Sequence, residues 1–302
     1  MVIAHVKWFV EVGNEVAPFS LREPSVGLWA LIVVGLIVLA TVLNKFIKGP
    51  SKKWMNWVNS TRSKWVYVFQ VMLAASLIYA AVNQVILVPH YEASTLAIPI
   101  VELLAALFLL INRWVWMGAG LLLVTYLASA ISYGPEEVAD YINVLGIVAF
   151  LFLEKPINKN SLKWKDRSLD VLRISTGAAL IILAFSEKLF APSSAMTLLS
   201  QYDLNFMSVI GINYSDRLFI LSAGSMELVF GSIMMLGVIT RINTFMLASF
   251  LVSSNVYFFL QGNYSEGWME LMGHLPIIGT ALLLVLYGKS FKVDNQKGPD
   301  SR

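Results

Sequence analysis

The sequence predicts an all-α integral membrane protein with nine transmembrane helices, two parallel four-helix-bundle repeats plus one N-terminal helix. Three observations predict it. Apolar residues make up 57% of the chain and charged residues 14%, with mean hydropathy +0.70, whereas soluble domains carry about 25% charge. Apolar runs long enough to cross a bilayer as helices recur along the whole length. Finally, the chain overlays on itself, which fixes how those runs are grouped.

Residues 1–25 form a polar and aromatic lead-in with His5, Lys7, Trp8, Phe9, Glu11 and Glu15, too charged for a signal-peptide core. It is expected at the membrane interface, with Trp8 and Phe9 as anchors. The first span covers 26–42 and is followed by Lys45, Lys48, Lys52, Lys53, Arg62 and Lys64 with no acid among them. Eight further spans are expected at 66–88, 95–111, 114–131, 138–153, 169–190, 218–238, 242–261 and 267–287. With the N-terminus outside and the C-terminus cytoplasmic, seventeen of the 22 basic residues fall in inner segments, as the positive-inside rule requires of a multi-pass cell-membrane protein. That distribution also argues against a nucleic-acid partner, because the net charge of +3 sits in short hydrophilic breaks and not on one basic face. The lack of cysteine rules out a disulfide, a thiolate metal site or a CxxC pair within the chain.

The overlay pairs FQVMLAASLIYAAVNQVILVP (69–89) with LRISTGAALIILAFSEKLFAP (172–192), and PIVELLAALFLLI (99–111) with GSMELVFGSIMML (224–236). Gln70 then matches Arg173, Gln84 matches Glu187 and Glu102 matches Glu227. Each unit holds four spans, an even number, so both enter the membrane from the same side. The chain divides into 1–64 (lead-in, first span and basic loop), 65–155 (first unit), 156–167 (basic linker), 168–289 (second unit) and 290–302 (cytoplasmic tail).

The second unit resembles the DoxX/DoxD family of four-helix membrane proteins: LRIS opens its first helix, SEKLF closes it, and MELVFGSIMMLGVITR makes the second helix with its arginine turn. The first unit is a weaker copy. The resemblance implies a membrane subunit or anchor of a quinone-linked redox complex, with a redox partner protein and a quinone as the cofactor in view. Single-unit members of that family have four spans, and the doubling and the extra N-terminal span set this chain apart from them.

The residues add their own argument. Glu227 lies deep in an apolar helix, roughly 21 Å along the axis from Arg241, and an ionisable group inside a membrane marks a functional-site hypothesis. Glu227 and its twin Glu102 either accept protons or contact a quinone, or fix helix packing through a hydrogen bond or ion pair. Glu187, Lys188 and Arg173 concentrate charge in the second unit; Arg173 and Lys188 either serve Glu227 as charge partners or snorkel to the two interfaces. Glu187 and Lys188 point about 100° apart on a helix and need not pair. Glu270 and His274 share one face of the last span, as a proton-handling pair or as a hydrogen-bonded bundle histidine. The expected site therefore takes Glu227, His274 and Glu270 as catalytic groups and Arg173, Lys188, Glu187 and Glu102 as cofactor contacts. No metal site is expected, since His5 and His90 would need further ligands.

Three outer features complete the reading. Glu136, Glu137 and Asp140 are expected to cap the helix that follows them. The long connection 191–216, rich in apolar side chains from Met196 to Ile210, is expected as an interfacial helix forming a lid. Asn213 and Asn263 stand in glycosylation sequons, and Trp114, Trp116 and Trp268 are placed in the aromatic belt. Besides the redox subunit, a proton-coupled small-molecule transporter built on the two repeats and a scaffold without chemistry are the alternative functions.

Overall fold

The computed structural model describes residues 5–10, 15–47, 49–154, 167–207 and 211–288. Among them the structure is helical throughout, apart from one isolated antiparallel bridge between Val85 and Glu92. The predicted tail 290–302 and the linker 156–167, except for Arg167, lie outside these residues.

Helix α1 (Pro24–Phe46) starts with proline at its first position, where the missing N–H costs nothing. Almost all of its surface faces outward, and it rests on the rest of the molecule through Ala40, which packs on Val229 and Ile233. Helix α2 (Lys52–Ser60) is capped by Ser51, whose Oγ accepts the Trp54 N–H. Then come α3 (Arg62–Val82), α4 (Ala97–Ile111), α5 (Val115–Tyr133), the single turn α6 (Pro135–Val138) and α7 (Asn143–Glu154). In the second half, α8 (Ser168–Leu183) runs on through a π-helical turn, Ala184–Leu189. It is followed by α9 (Ser193–Tyr202), α10 (Asp216–Leu236), α11 (Thr240–Leu260) and α12 (Tyr264–Tyr287), the last running through Pro276.

Eight of these helices close a ring: α3 packs on α4, α4 on α5, α5 on α7, α7 on α8, α8 on α10, α10 on α11, α11 on α12, and α12 returns to α3. The largest apolar core joins α3, α4, α5 and α7 to the ends of α8 and α12. At one end of the ring, Arg62 makes a two-pronged contact with Glu154 at 3.0 and 2.7 Å and also donates to Ser168 Oγ, tying α3, α7 and α8 together. Arg173 and Arg241 lie at this same basic end, where α10 turns into α11.

Seven helices among the described residues are long and apolar enough to cross a membrane. Two predicted spans are shorter than expected. Helix α4 has fifteen residues and α7 twelve, or about 22 and 18 Å, below the roughly 30 Å of a hydrocarbon core. The first starts at Ala97, two residues later than expected, and α3 before it ends at Val82, not residue 88, with left-handed conformations at Gln84 (φ 55°) and Leu87 (φ 60°) in the chain between them. In the second, the polar Glu136, Glu137 and Asp140 divide the run into short turns ahead of α7.

The lead-in also departs from expectation. Trp8 is buried, and its indole N–H donates to the Tyr141 hydroxyl at 2.8 Å, so it is an internal anchor and not an interfacial one. Residues 5–9 enter the mouth of the helix ring at the end opposite Arg62, and Val6 packs on Leu198, Leu199, Phe219 and Ile220. The expected helix within 191–216 is present as α9, but Ala195, Leu198 and Leu199 turn inward onto Val6. Val209 and Ile210 lie outside the described residues.

Small residues set the closest helix crossing. A Cβ added to Gly177 would lie 2.6 Å from the Gly231 carbonyl oxygen, and one added to Gly231 would lie 2.6 Å from the Gly177 oxygen. Such contacts replace the missing hydrophobic drive between helices in lipid. Gly231→Ala is expected to separate α8 from α10 and to cost about 1–3 kcal/mol, the usual range for overpacking. Its unfolding midpoint in detergent should fall accordingly, and an unchanged midpoint would show that the crossing is looser than described.

Candidate functional site

At the mouth of the ring, the end of α8 presents two charged residues to opposite partners. Lys188 Nζ lies 2.9 Å from Glu227 Oε1 of α10, and both side chains are almost wholly buried (2% and 0% exposed). Glu187 faces the other way and accepts the Val6 backbone N–H on Oε2 at 2.6 Å. The π-helical turn, closed by the Phe190 N–H to the Phe185 carbonyl, places the two neighbours on these separate partners. A buried charge without a partner costs several kcal/mol, so Glu227 needs its lysine.

Next to Glu187 stands His5, with Nδ1 3.9 Å from Glu187 Oε1. Its ring stacks on both Trp8 (4.5 Å between centroids) and Tyr141 (4.9 Å), and reaches His274 at 5.9 Å. His274 Nδ1 is 3.6 Å from Glu270 Oε1, beyond hydrogen-bond length, and Glu270 instead accepts from Ser254 Oγ of α11 at 2.7 Å. Neither ring nitrogen of His274 has a hydrogen-bond partner among the described residues, although both residues are completely buried. Asp140 closes the site from the α7 side, accepting from Ser186 Oγ at 2.7 Å and from Lys7 Nζ at 3.4 Å, while Lys7 also meets Glu137 at 2.7 Å. The expectation that Glu137 and Asp140 cap a helix is therefore corrected: they hold the N-terminal segment and the end of α8.

Two small cavities adjoin His5. One, of about 40 Å³, is bounded by Ser76, Asn143, Tyr141 and Pro276; the other, of about 20 Å³, by Asp140, Asn143 and Thr176. Each is large enough for water, which needs about 10–15 Å³ by this measure. Burial pushes the His5 imidazole down to about 3, with Asp140 opposing and Lys188 and Lys7 adding to the effect. His90 goes the same way, to about 4, through burial and the nearby His5.

The predicted residues divide cleanly. Glu187, Lys188 and Glu227 come together, and Glu270 with His274 joins them through the His5 and Trp8 rings. Arg173 does not: its guanidinium donates to the Met234 and Met235 carbonyls and contacts Asp170 at 3.3 Å, so it caps α10 at the basic end. A carbonyl row at a helix end attracts a cation without any carboxylate, which is why Arg173 finds no role beside Glu227. Glu102 joins none of these pairs: it accepts the Leu87 N–H on Oε1 at 2.7 Å and so fixes the irregular chain after α3, which lines the cavity beside His5. Sequence reasoning missed His5, Trp8, Tyr141 and Ser254. The dense HVKWF run was the available signal for the first two.

The buried pair should behave asymmetrically under mutation. Lys188→Met or Glu227→Gln singly is expected to cost about 3–5 kcal/mol, and the double variant much less than the sum, because the singles strand a charge. Denaturation in detergent checks this, and additive losses would show that the two groups do not interact. Acid should loosen the N-terminal segment. A released His5 takes a proton near its ordinary 6.5, the docked one only near about 3. Docking is then undiminished above pH 6.5 and weakens as the pH falls below it, by up to about 1.4 kcal/mol per unit. The protection factor of the Val6 amide, its hydrogen–deuterium exchange rate set against the intrinsic rate at each pH, should fall between pH 7 and 5 in the native chain and change less in His5→Gln.

Comparison of the chain with protein-family models, with characterised proteins and with solved structures finds no match, so no relative lends this site a reaction.

Proposed function

We propose that this chain is a DoxX-like membrane subunit of a quinone-linked redox complex, handling protons and a quinone head at the mouth of the helix ring. The observation that carries the reading is the burial, side by side, of Glu187, Lys188, Glu227, Glu270, His5 and His274 in a protein rich in apolar helices. Quinone reduction takes up two protons with two electrons. Glu227, paired with Lys188, and His274, beside Glu270, are proposed as the groups that pass protons, with Glu187 and Lys188 facing the quinone oxygens. The electrons are assigned to a redox partner protein, consistent with a chain that has no thiol of its own.

In the same reading the chain has nine spans, with α4 and α7 completed by the irregular segments before them, and consists of two parallel repeats. Three features support the repeat. Helices α4 and α10 both end on a left-handed residue, Asn112 (φ 57°) and Gly237 (φ 68°). Glu102 and Glu227 each take a donor that follows the first helix of the unit or closes it, the Leu87 N–H in the chain after α3 and Lys188 in the π-helical end of α8. The packing of α3 on α12 mirrors that of α8 on α7. The gathering of Arg62, Arg173 and Arg241 at one end supports a cytoplasmic basic end and an external N-terminus in the cell membrane.

A proton-coupled transporter is the second reading. It is favoured by interruptions at matching places in the two units, the unwound chain after Val82 and the π-helical turn at 184–189. Extraction of quinone from the purified protein separates the two. The redox reading expects retained quinone in the native chain and about a tenfold loss in Glu227→Gln, comparable to removal of one charge-assisted contact. No retained quinone, together with proton flux into vesicles driven by a solute gradient, would favour the transporter.

A further inference from the structure

The arginine turn at the basic end is not used by the site above. Between the end of α1 and the start of α11 lies a groove of about 430 Å³, lined among others by Asn44, Ile47, Pro50, Ile239, Thr240 and Arg241. The hydrogen-bond ladder of α11 begins with the Asn243 N–H to the Ile239 carbonyl, so the N–H groups of Thr240, Arg241 and Ile242 precede it. Thr240 also lines the groove; it is only 6% exposed, and its Oγ1 has no hydrogen-bond partner among the described residues. Arg241 donates through Nη2 to the Leu286 carbonyl at 3.0 Å, while its Nε has no partner, and among the described residues no carboxylate lies within ion-pair distance. A helix N-terminus, a buried hydroxyl and a guanidinium without a counter-charge converge on one place, which is the chemistry that holds a phosphate.

The surroundings say which phosphate. The groove walls include Ile47 and Ile242, each 46% exposed, and lead onto Val42 and Leu43 of α1 and Phe245 and Met246 of α11, all of which face outward. Acyl chains fit against that stripe, and a free anion gains nothing from it. Continuing the overlay of the two units, Val115 and Trp116 stand where Thr240 and Arg241 stand, and α1 has no counterpart beside them, so the first unit lacks the site.

We propose that this groove binds the phosphate of one anionic phospholipid, with the Thr240 hydroxyl, the Arg241 guanidinium and the first turn of α11 as donors and the α1–α11 stripe holding its tails. The site lies at the opposite end of the ring from the charge cluster and stands whether or not a quinone binds there. Native mass spectrometry of the full chain in neutral detergent tests it with phosphatidylglycerol, phosphatidylcholine and inorganic phosphate. The expected result is one saturable phosphatidylglycerol, held more tightly than phosphatidylcholine and not displaced by excess phosphate. Affinity should fall about tenfold in Arg241→Gln and in Thr240→Val, with little change in Lys53→Gln. Equal retention of the two lipids with no effect of Arg241→Gln would overturn the proposal, as would full displacement by inorganic phosphate, the mark of a free-anion site. Should the variants fold poorly, a photoreactive phosphatidylglycerol on the native chain decides: labelling at the end of α1 or the start of α11 supports the site, and labelling only elsewhere overturns it.

Discussion

Two adjacent charges at the end of α8, Glu187 and Lys188, set the constraint around which the rest of the molecule is arranged. Both are buried among apolar helices, where a charge survives only if a partner meets it. The π-helical turn lets consecutive residues face different neighbours, so Lys188 meets Glu227 of α10 while Glu187 receives the Val6 N–H. The first contact joins two helices of the ring. The second draws the N-terminal segment into the mouth of the bundle, and with it His5, Lys7 and Trp8.

That second contact gives the site its enclosure. Once Val6 is seated, His5 stacks on Tyr141 and approaches His274, Lys7 reaches Glu137 and Asp140, and α9 covers Val6 with Leu198 and Leu199. Each contact is modest, but together they convert an open mouth into small cavities lined mainly by apolar side chains, with His5, Asn143 and Asp140 among the polar ones. The other end of the ring is built on a different principle. There arginines meet backbone carbonyls and Glu154, and Arg241 remains open to an outside anion.

Much of this was legible in the sequence, and the part that was not has a physical reason. Apolar run length located the long helices, because spanning a bilayer leaves so clear a pattern in composition. The spacing of Glu187 and Lys188 left them free to face different partners, and the depth of Glu227 marked it as a group whose burial had to be offset. Helix α7 was overestimated since hydropathy does not register where polar turns break a run. Arg173 was misplaced because a helix end offers it carbonyls as readily as Glu227 offers a carboxylate, and sequence does not rank the two. The burial of the N-terminal segment was the largest omission: contacts between residue 6 and residue 187 leave no local periodicity to read. Glu102 was read as the twin of Glu227, yet Val85 stands where Lys188 stands in the other unit, and a backbone N–H takes the place of the ammonium.

Because the chain has no native cysteine, its enclosure can be measured with single introduced thiols. Labelling of Val6→Cys by a membrane-impermeant maleimide, set against Glu15→Cys at an exposed neighbouring position, reads whether the N-terminal segment seals the charge cluster. The structure predicts rapid reaction at position 15 and strong protection at position 6, relieved when Glu187→Gln is added. Equal rates at the two positions at neutral pH would contradict the account.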